Sequence, residues 1–225
     1  MAGGTGTRLG AGMPKQMLPL LGKPVLAHTL DRFFAFDAGI TICIVLHPSL
    51  VDTWPDFHQQ WYPEVPESQL FVCGGGKERT DSVFHGLLAL LAQGLSPNTW
   101  VAIHDGVRPF IDQRLLTDGF ETASTKGNAV AAVPVKSSLR RSTPQGSEAV
   151  DRSAYYHVQT PQIFSLAGLH TCYQLKMGKG VFTDDASLVE ACGQTIHLFD
   201  GSYDNIKITT PEDLAVAEML LRRDA

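Results

Sequence analysis

The chain opens MAGGTGTRLGAGMPKQ, Met1 to Gln16, and the remainder is read outward from this stretch. Gly3, Gly4, Gly6, Gly10 and Gly12 run through it, Arg8 and Lys15 are its cations, and no carboxylate occurs before Asp31. Glycine reaches positive φ and has no side chain, so such a loop can press backbone N–H groups against a ligand. Backbone donors beside fixed cations describe a polyphosphate cradle. The competing reading is a flexible amino-terminal tail, but this loop runs directly into apolar Met17-Leu18-Pro19-Leu20-Leu21. It is not a Walker A loop, because the Lys-Ser/Thr ending is missing. It is not a dinucleotide fingerprint either: Gly4-Thr5-Gly6 begins one, but Leu9 stands where the third glycine belongs. A phosphate loop of this kind ordinarily follows a buried strand that aims it. The expectation is therefore that the chain starts earlier, or that Met1 is the last residue of a strand lying upstream.

The 225 residues suffice for one α/β domain, and 44% hydrophobic with 18% charged residues is an ordinary soluble balance. A net charge of −5 argues against general nucleic-acid binding, whose footprint is a basic domain. No apolar run approaches the roughly 20 residues of a membrane span, and no signal peptide is visible. Cys43, Cys73, Cys172 and Cys192 are scattered and form no CxxC. They read as reduced cysteines of a cytoplasmic protein rather than a zinc site.

Downstream, helices and strands alternate. Pro24 to Phe36 has helical periodicity, with Pro24 in the first turn. Ile40 to Leu46 is a β-branched run, as in a strand buried on both faces. Residues 51–62 read as a helix and Gln69 to Cys73 as a strand. Gly74-Gly75-Gly76 then releases a helix over Ser82 to Gln93, with Val83, Leu87, Leu88 and Leu91 facing the core. That glycine run is either a simple turn or a second wall of the nucleotide pocket. Thr99 to His104 is the next strand, followed by a helix over Asp112 to Thr125 and a strand over Asn128 to Val135. Lys136 to Gln159 is polar and turn-rich around Pro144-Gln145-Gly146, and reads as a projecting β-arm or a surface loop. Its Val150, Tyr155 and Tyr156 suggest that it packs on something, such as a second subunit. A helix follows from about Ser165 to Lys176. Thr183 N-caps another, which Gly193 ends. Thr195 to Phe199 and Asn205 to Thr209 read as strands. Thr210 caps the closing helix, with Pro211 at its first position.

Asp105 sits at a strand's carboxyl tip, where a carboxylate can hold a divalent cation or a substrate hydroxyl. Arg108 offers a planar fork for phosphate. The plainer alternative is an Asp105–Arg108 ion pair inside a turn. Lys207 is a cation on an apolar background, also readable as an edge-strand lysine. His104 reads as structural rather than as a base.

The GGxGxRxG loop with Pro14-Lys15-Gln16 resembles the signature of the sugar-nucleotide and polyol-nucleotide pyrophosphorylases. Further motifs follow in order: Gly75-Gly76-Lys77-Glu78-Arg79, His104-Asp105-Gly106-Val107-Arg108-Pro109, Val150-Asp151-Arg152, Thr160-Pro161-Gln162, Thr183-Asp184-Asp185-Ala186-Ser187 and Asp204-Asn205-Ile206-Lys207-Ile208-Thr209. The ordered set is similar to the 2-C-methyl-D-erythritol 4-phosphate cytidylyltransferases. The ribitol-5-phosphate cytidylyltransferases are siblings that share much of it, and Val150-Asp151-Arg152 favours the former.

That resemblance implies an α/β, Rossmann-like nucleotidyltransferase three-layer sandwich with a mostly parallel sheet. It implies one domain over residues 1–225, with residues 136–160 as a β-arm used in dimerisation. Arg8, Lys15 and Lys207 would be catalytic. Ala2, Gly3, Gly4, Gly6, Thr7, Gly75, Gly76, Lys77, Ser82 and Asp105 would bind CTP. Asp105, Arg108, Ser138, Arg152, Thr183 and Lys207 would bind the polyol phosphate, Arg152 reaching in from the arm of a homodimer partner. Mg2+ is the implied cofactor, with Asp105 as its ligand. Where the family usually carries Asp-Thr, this chain has Ser137-Ser138, which keeps a hydroxyl and loses a carboxylate. The alternatives are transfer to ribitol 5-phosphate, a different nucleotide, and an inactive nucleotide-binding homologue.

Overall fold

The computed structural model describes residues 1–4 and 13–223. A two-residue ribbon, β1 (Pro19–Leu20) with β2 (Lys23–Pro24), leads into α1 (Val25–Phe36). Pro24 is thus the residue before the helix rather than part of its first turn. β3 (Ile42–Leu46) and β4 (Leu70–Gly74) pair in parallel. Between them lie a 3-10 turn (Pro48–Thr53) and α2 (Trp54–Trp61), so the expected helix over 51–62 starts later. α3 (Arg79–Ala92) carries Val83, Leu87 and Leu90 into the core, whereas Leu88 is 43% exposed on the opposite side.

β5 (Trp100–Ile103), α4 (Gln113–Lys126) and β6 (Asn128–Pro134) follow. α4 is capped by Asp112, whose Oδ1 accepts the Leu115 N–H at 2.7 Å, and it stops at Gly127 with φ 92°. β7 (Leu139–Thr143) and β8 (Gly146–Val150) form an isolated antiparallel hairpin inside the expected arm. Tyr155 and Tyr156, just beyond it, are about half exposed.

Next comes a strand that the sequence did not predict, β9 (Tyr156–Ser165). It lies between β6 and β5 and runs antiparallel to both, in the order β10-β6-β9-β5, with β10 (Leu198–Asp200) parallel to β6. β9 contains Pro161, after a cis peptide bond, and buried Gln159, Thr160 and Gln162. Proline and buried amides mask the usual apolar signature of a central strand. α5 (Leu166–Lys176) and α6 (Asp185–Ala191) pack beneath it. α6 is capped by Asp184 rather than Thr183: the Asp184 Oδ1 accepts from Ser187 N at 3.0 Å and Ser187 Oγ accepts from Asp184 N at 3.4 Å. Residues 205–209 form an extended loop, not a strand, held where Ile208 N donates to Val107 O at 2.9 Å. α7 (Pro211–Arg223) closes the chain, with Thr210 Oγ1 accepting from Asp213 N at 3.4 Å as expected of its cap.

The two faces of the sheet bury alternating side chains, which makes three layers. On β6 and β9, Ala129, Ala131 and Ile163 pack against α1 and α4, while Val130 and Phe164 pack against α3, α5 and α6. Met1 and Ala2 join the two sheets. Ala2 bridges Leu46 in parallel and donates to Val45 O at 2.8 Å. Met1 donates to His104 O at 2.5 Å and accepts from Gly106 N at 2.8 Å.

Candidate active site

Three backbone segments meet at one place, two of them at the carboxyl ends of β4 and β5. The first is Ala2–Gly4. Gln16, buried and just after Lys15, donates from Nε2 to Ala2 O at 2.7 Å and Gly4 O at 3.3 Å. The second is Gly74–Gly76 at the end of β4. Gly75 N donates to Leu46 O at 2.6 Å, and Gly76 N donates to Ser82 Oγ at 3.0 Å. A Cβ on Gly75 would stand 2.8 Å from Ser82 Oγ and 3.1 Å from Leu46 O, so this close approach requires glycine. A Cβ on Gly3 would stand 3.6 Å from the same Ser82 Oγ, and one on Gly4 would stand 3.8 Å from Lys15 Cε. Ala2, Gly3, Gly4, Lys15, Gly75, Gly76 and Ser82 are therefore brought together. Lys77 is exposed at the rim. Gly6, Thr7 and Arg8 lie outside the described residues.

The third segment is His104–Arg108. Asp105 is 9% exposed and Lys207 Nζ lies 2.9 Å from its Oδ2, with Arg108 Nε at 3.4 Å. The local Asp105–Arg108 pair foreseen from the sequence thus exists, and Lys207 is added to it. Burial pushes the Asp105 carboxyl upward, but the Lys207 ammonium and then Arg108 more than offset this and hold it well below the usual carboxylate range. Arg108 Nη1 donates to Asn205 O at 2.7 Å, which fixes the loop that carries Lys207. Asn205 is itself buried and donates to Thr160 O at 2.8 Å. Thr160 Oγ1 accepts from Asp105 N at 3.0 Å and lies 3.2 Å from His104 Nδ1. Burial lowers the His104 pKa to about 4, and its Nε2 faces Arg108 O at 3.1 Å. A neutral, saturated imidazole supports the structural reading.

A further pair closes the site on the side of α6. Arg79 Nη2 and Tyr173 Oη both reach the fully buried Asp185 carboxylate at 2.5 Å. Gln162 Nε2 donates to Asp184 Oδ2 at 2.8 Å and its Oε1 accepts from Ala186 N at 2.9 Å. The glycine wall beside Arg79 is thereby tied to the Thr183–Asp184 turn. The sequence motifs contain Arg79, Asp185, Thr160, Gln162 and Asn205 but gave them no role. The available signal was polar residues amid apolar neighbours.

Thr183 is exposed on the turn ahead of α6, and Ser138 and Arg152 are exposed on the arm. Arg152 donates to Lys136 O of its own chain. No group of three or more His, Cys, Asp and Glu that could hold a metal occurs among the described residues. Asp105 supplies a single carboxylate, whose Oδ2 is engaged by Lys207 and Arg108, so a Mg2+ ion held there would take most of its shell from phosphates and water.

Residues 1–223 match the family model described as 2-C-methyl-D-erythritol 4-phosphate cytidylyltransferase (IspD). The chain belongs to that family. Among curated IspD relatives, the 2-C-methyl-D-erythritol 4-phosphate cytidylyltransferase of Bacteroides thetaiotaomicron is 42% identical over 98% of this chain and 97% of its own length. That of Phocaeicola vulgatus is 40% identical over the same shares. Among solved structures, the 2-C-methyl-D-erythritol 4-phosphate cytidylyltransferase from Thermus thermophilus is 33% identical, with a TM-score of 0.74 over 93% of this chain and 94% of that one. The 4-diphosphocytidyl-2C-methyl-D-erythritol synthase from Anaerococcus prevotii is 26% identical, with a TM-score of 0.82 over 99% and 93%. The chain is thus an α/β nucleotidyltransferase of the IspD family, an enzyme family that transfers a cytidylyl group.

Proposed function

We propose that this chain transfers CMP from CTP to 2-C-methyl-D-erythritol 4-phosphate, giving 4-diphosphocytidyl-2-C-methyl-D-erythritol and pyrophosphate. The observation that carries the reading is the Asp105–Lys207–Arg108 cluster standing beside a glycine-lined backbone cradle. It supports the reading because two anionic substrates need cations where they meet. Membership of the IspD family supports the identity of both substrates.

In this reading Ala2–Gly4, Gly75–Gly76, Lys77 and Ser82 hold CTP, with Gly6 and Thr7 completing the cradle, and Arg8 and Lys15 grip its triphosphate. Lys207, Arg108, Thr183 and Ser138 hold the polyol phosphate, joined by Arg152 from the arm of a second copy. The attacking group is a phosphate monoester, already largely dianionic near neutrality because its second pKa is about 6. No side chain has to remove a proton. A phosphate oxygen attacks the α-phosphorus, the bond to the β-phosphate oxygen breaks, and its electron pair leaves with pyrophosphate. The work of the protein is alignment and charge stabilisation. Lys207 contributes to both, because Asp105 fixes its ammonium and the ammonium faces the incoming phosphate. Mg2+ held by Asp105 and the triphosphate would add positive charge at the α-phosphate. The chain acts as one domain, in the cytoplasm, as a homodimer joined through residues 136–160.

Pyrophosphate release measured side by side with CTP plus methylerythritol phosphate and CTP plus ribitol 5-phosphate tests this. Faster turnover of the methylerythritol substrate is expected. Preference for ribitol 5-phosphate, or no release with either, overturns the proposal.

A further inference from the structure

Lys207 stands on a segment with little backbone support. The parallel pairing of β10 with β6 ends where Gly201 N donates to Ala132 O at 2.9 Å. The next backbone bond to another element is from Ile208 N to Val107 O, also 2.9 Å. Among the described residues, the backbone bonds within 202–207 are local: Asn205 N to Ser202 O at 3.1 Å and Ile206 N to Asp204 O at 2.7 Å. Side chains therefore hold this segment in place. Tyr203 Oη donates to Pro134 O at 2.7 Å and Arg223 Nη2 to Asp204 Oδ2 at 3.0 Å. Both of these lie at the surface, where water competes and such bonds contribute little. Arg108 holds Asn205 O and Lys207 holds Asp105, but these two cations are the groups proposed to bind the polyol phosphate. Gln159 and Asn205 hold the segment too, and both are buried and free of any such duty.

Gln159 lies where β9 bulges. From Val158 to Gln162 β9 advances four residues, while β6 advances two between their partners, Ala132 and Val130. A bulge bends its strand and re-aims the side chains it carries. Here it turns Thr160 Oγ1 to Asp105 N and the Gln159 amide to the loop that carries Lys207. Gln159 Nε2 donates to Ser202 O at 2.8 Å, and Oε1 accepts from Ser202 N at 3.3 Å. One side-chain amide thus makes the two bonds that a neighbouring strand would make to Ser202. Oε1 also accepts from Asn205 Nδ2 at 3.4 Å, and that nitrogen donates to Thr160 O at 2.8 Å. A Cβ on Gly201 would stand 2.5 Å from Gln159 Oε1, so the amide reaches the loop across a glycine. We infer that Gln159, seconded by Asn205, is a positioning residue for Lys207. Its amide replaces a strand rung and sets the loop so that the ammonium meets Asp105. Arg108 can then exchange Asn205 O for a substrate phosphate without releasing the loop. The inference rests on the role proposed for Lys207 in cytidylyl transfer.

The test is a double-mutant cycle read by pyrophosphate release from CTP with methylerythritol phosphate. Gln159→Met keeps the length of the side chain and removes both polar groups. Alone it is expected to lower kcat about tenfold and to leave KM for CTP within about twofold, as for a displaced catalytic group beside an intact cradle. In the Lys207→Ala chain the same change should alter kcat by less than about twofold, because the group it positions is gone. Loss of the same factor in both backgrounds is what a merely structural role gives, and it overturns the inference. So does an unchanged kcat in Gln159→Met, or an effect confined to KM for CTP. If circular dichroism shows that Gln159→Met does not fold, Gly201→Ala takes its place in the cycle with the same expectation, since it displaces the amide without removing it. Failure of both variants to fold assigns the amide to the core and overturns the positioning role. No turnover in the unaltered chain, or full turnover in Lys207→Ala, defeats the role of Lys207 and the inference with it. Turnover that depends on Lys207 but not on Gln159 defeats the inference alone.

Discussion

Lys207 Nζ lies 2.9 Å from Asp105 Oδ2, which joins a loop near the carboxyl terminus to the tip of β5. The pair is asymmetric. Asp105 is nearly buried, while the Lys207 side chain keeps 42% of its surface exposed. The carboxylate is therefore an anchor, and the ammonium is the group left to meet a ligand.

Removing that ammonium should cost turnover. Lys207→Ala and Lys15→Ala are each expected to lower kcat by roughly 10²-fold, the order for losing one preorganised charge contact in a transition state. Steady-state kinetics check this, with circular dichroism to verify folding. Near-normal kcat in either variant removes that lysine from the mechanism.

The acid limb of the pH profile should belong to the substrate. Asp105 is held ionised in the folded protein, so its stabilising contribution is present above the unfolded carboxylate value of about 3.9 and is lost only as pH falls through the lowered folded value. The kcat/KM is expected to decline below about pH 6, where the phosphate monoester takes up its proton. Replacing that substrate with a phosphonate of shifted second pKa should move the limb with it. A limb that stays in place assigns the ionisation to the enzyme.

His104 supplies a different pH term. Its folded pKa is about 4, against about 6.5 in an unfolded chain. Between these values the unfolded state binds the proton and the native state does not. Stability from this group therefore rises with pH across that window, by about 3 kcal/mol in total. Urea midpoints at pH 4.5 and pH 7 check it, with His104→Gln expected to show the shallower pH dependence. The same dependence in both proteins contradicts the assignment.

Asp185 holds Arg79 and Tyr173 together at full burial. Asp185→Asn leaves a guanidinium without its counter-charge and is expected to cost about 3 kcal/mol. For a chain of this length that is a Tm decrease of roughly 6–12 °C in calorimetry. A change within 1–2 °C, roughly half a kilocalorie per mole, would show that the pair contributes little.

Much of this architecture was legible from local pattern. The β-branched run of β3, the Thr210-Pro211 start of α7 and the Gly193 stop of α6 each carry their own physical signal. β9 does not, because Gln159, Thr160, Pro161 and Gln162 occupy a central strand whose polar groups are satisfied only by remote partners such as Asn205 and Asp184. The loop over 205–209 fails for the converse reason: its alternating apolar residues pack on Val107, Phe110 and α7 without a strand neighbour. The site was legible as separate motifs. That Lys207 neutralises Asp105, and that Arg79 reaches Asp185, depends on contacts between distant segments that only the folded sheet creates.

The arm offers an independent test of assembly. Arg152 lies exposed and donates to Lys136 O of its own chain. If a second copy uses it to reach the polyol phosphate, Arg152→Ala should raise KM for that substrate and leave KM for CTP unchanged. An effect confined to CTP contradicts that placement.

The most direct measurement is 31P NMR of the reaction of CTP with methylerythritol phosphate. The expected result is the pyrophosphate signal together with a new diphosphate diester linking CMP to the polyol, formed in equal amounts. Unchanged CTP, or CDP with orthophosphate from cleavage at the γ-phosphate, would contradict the account.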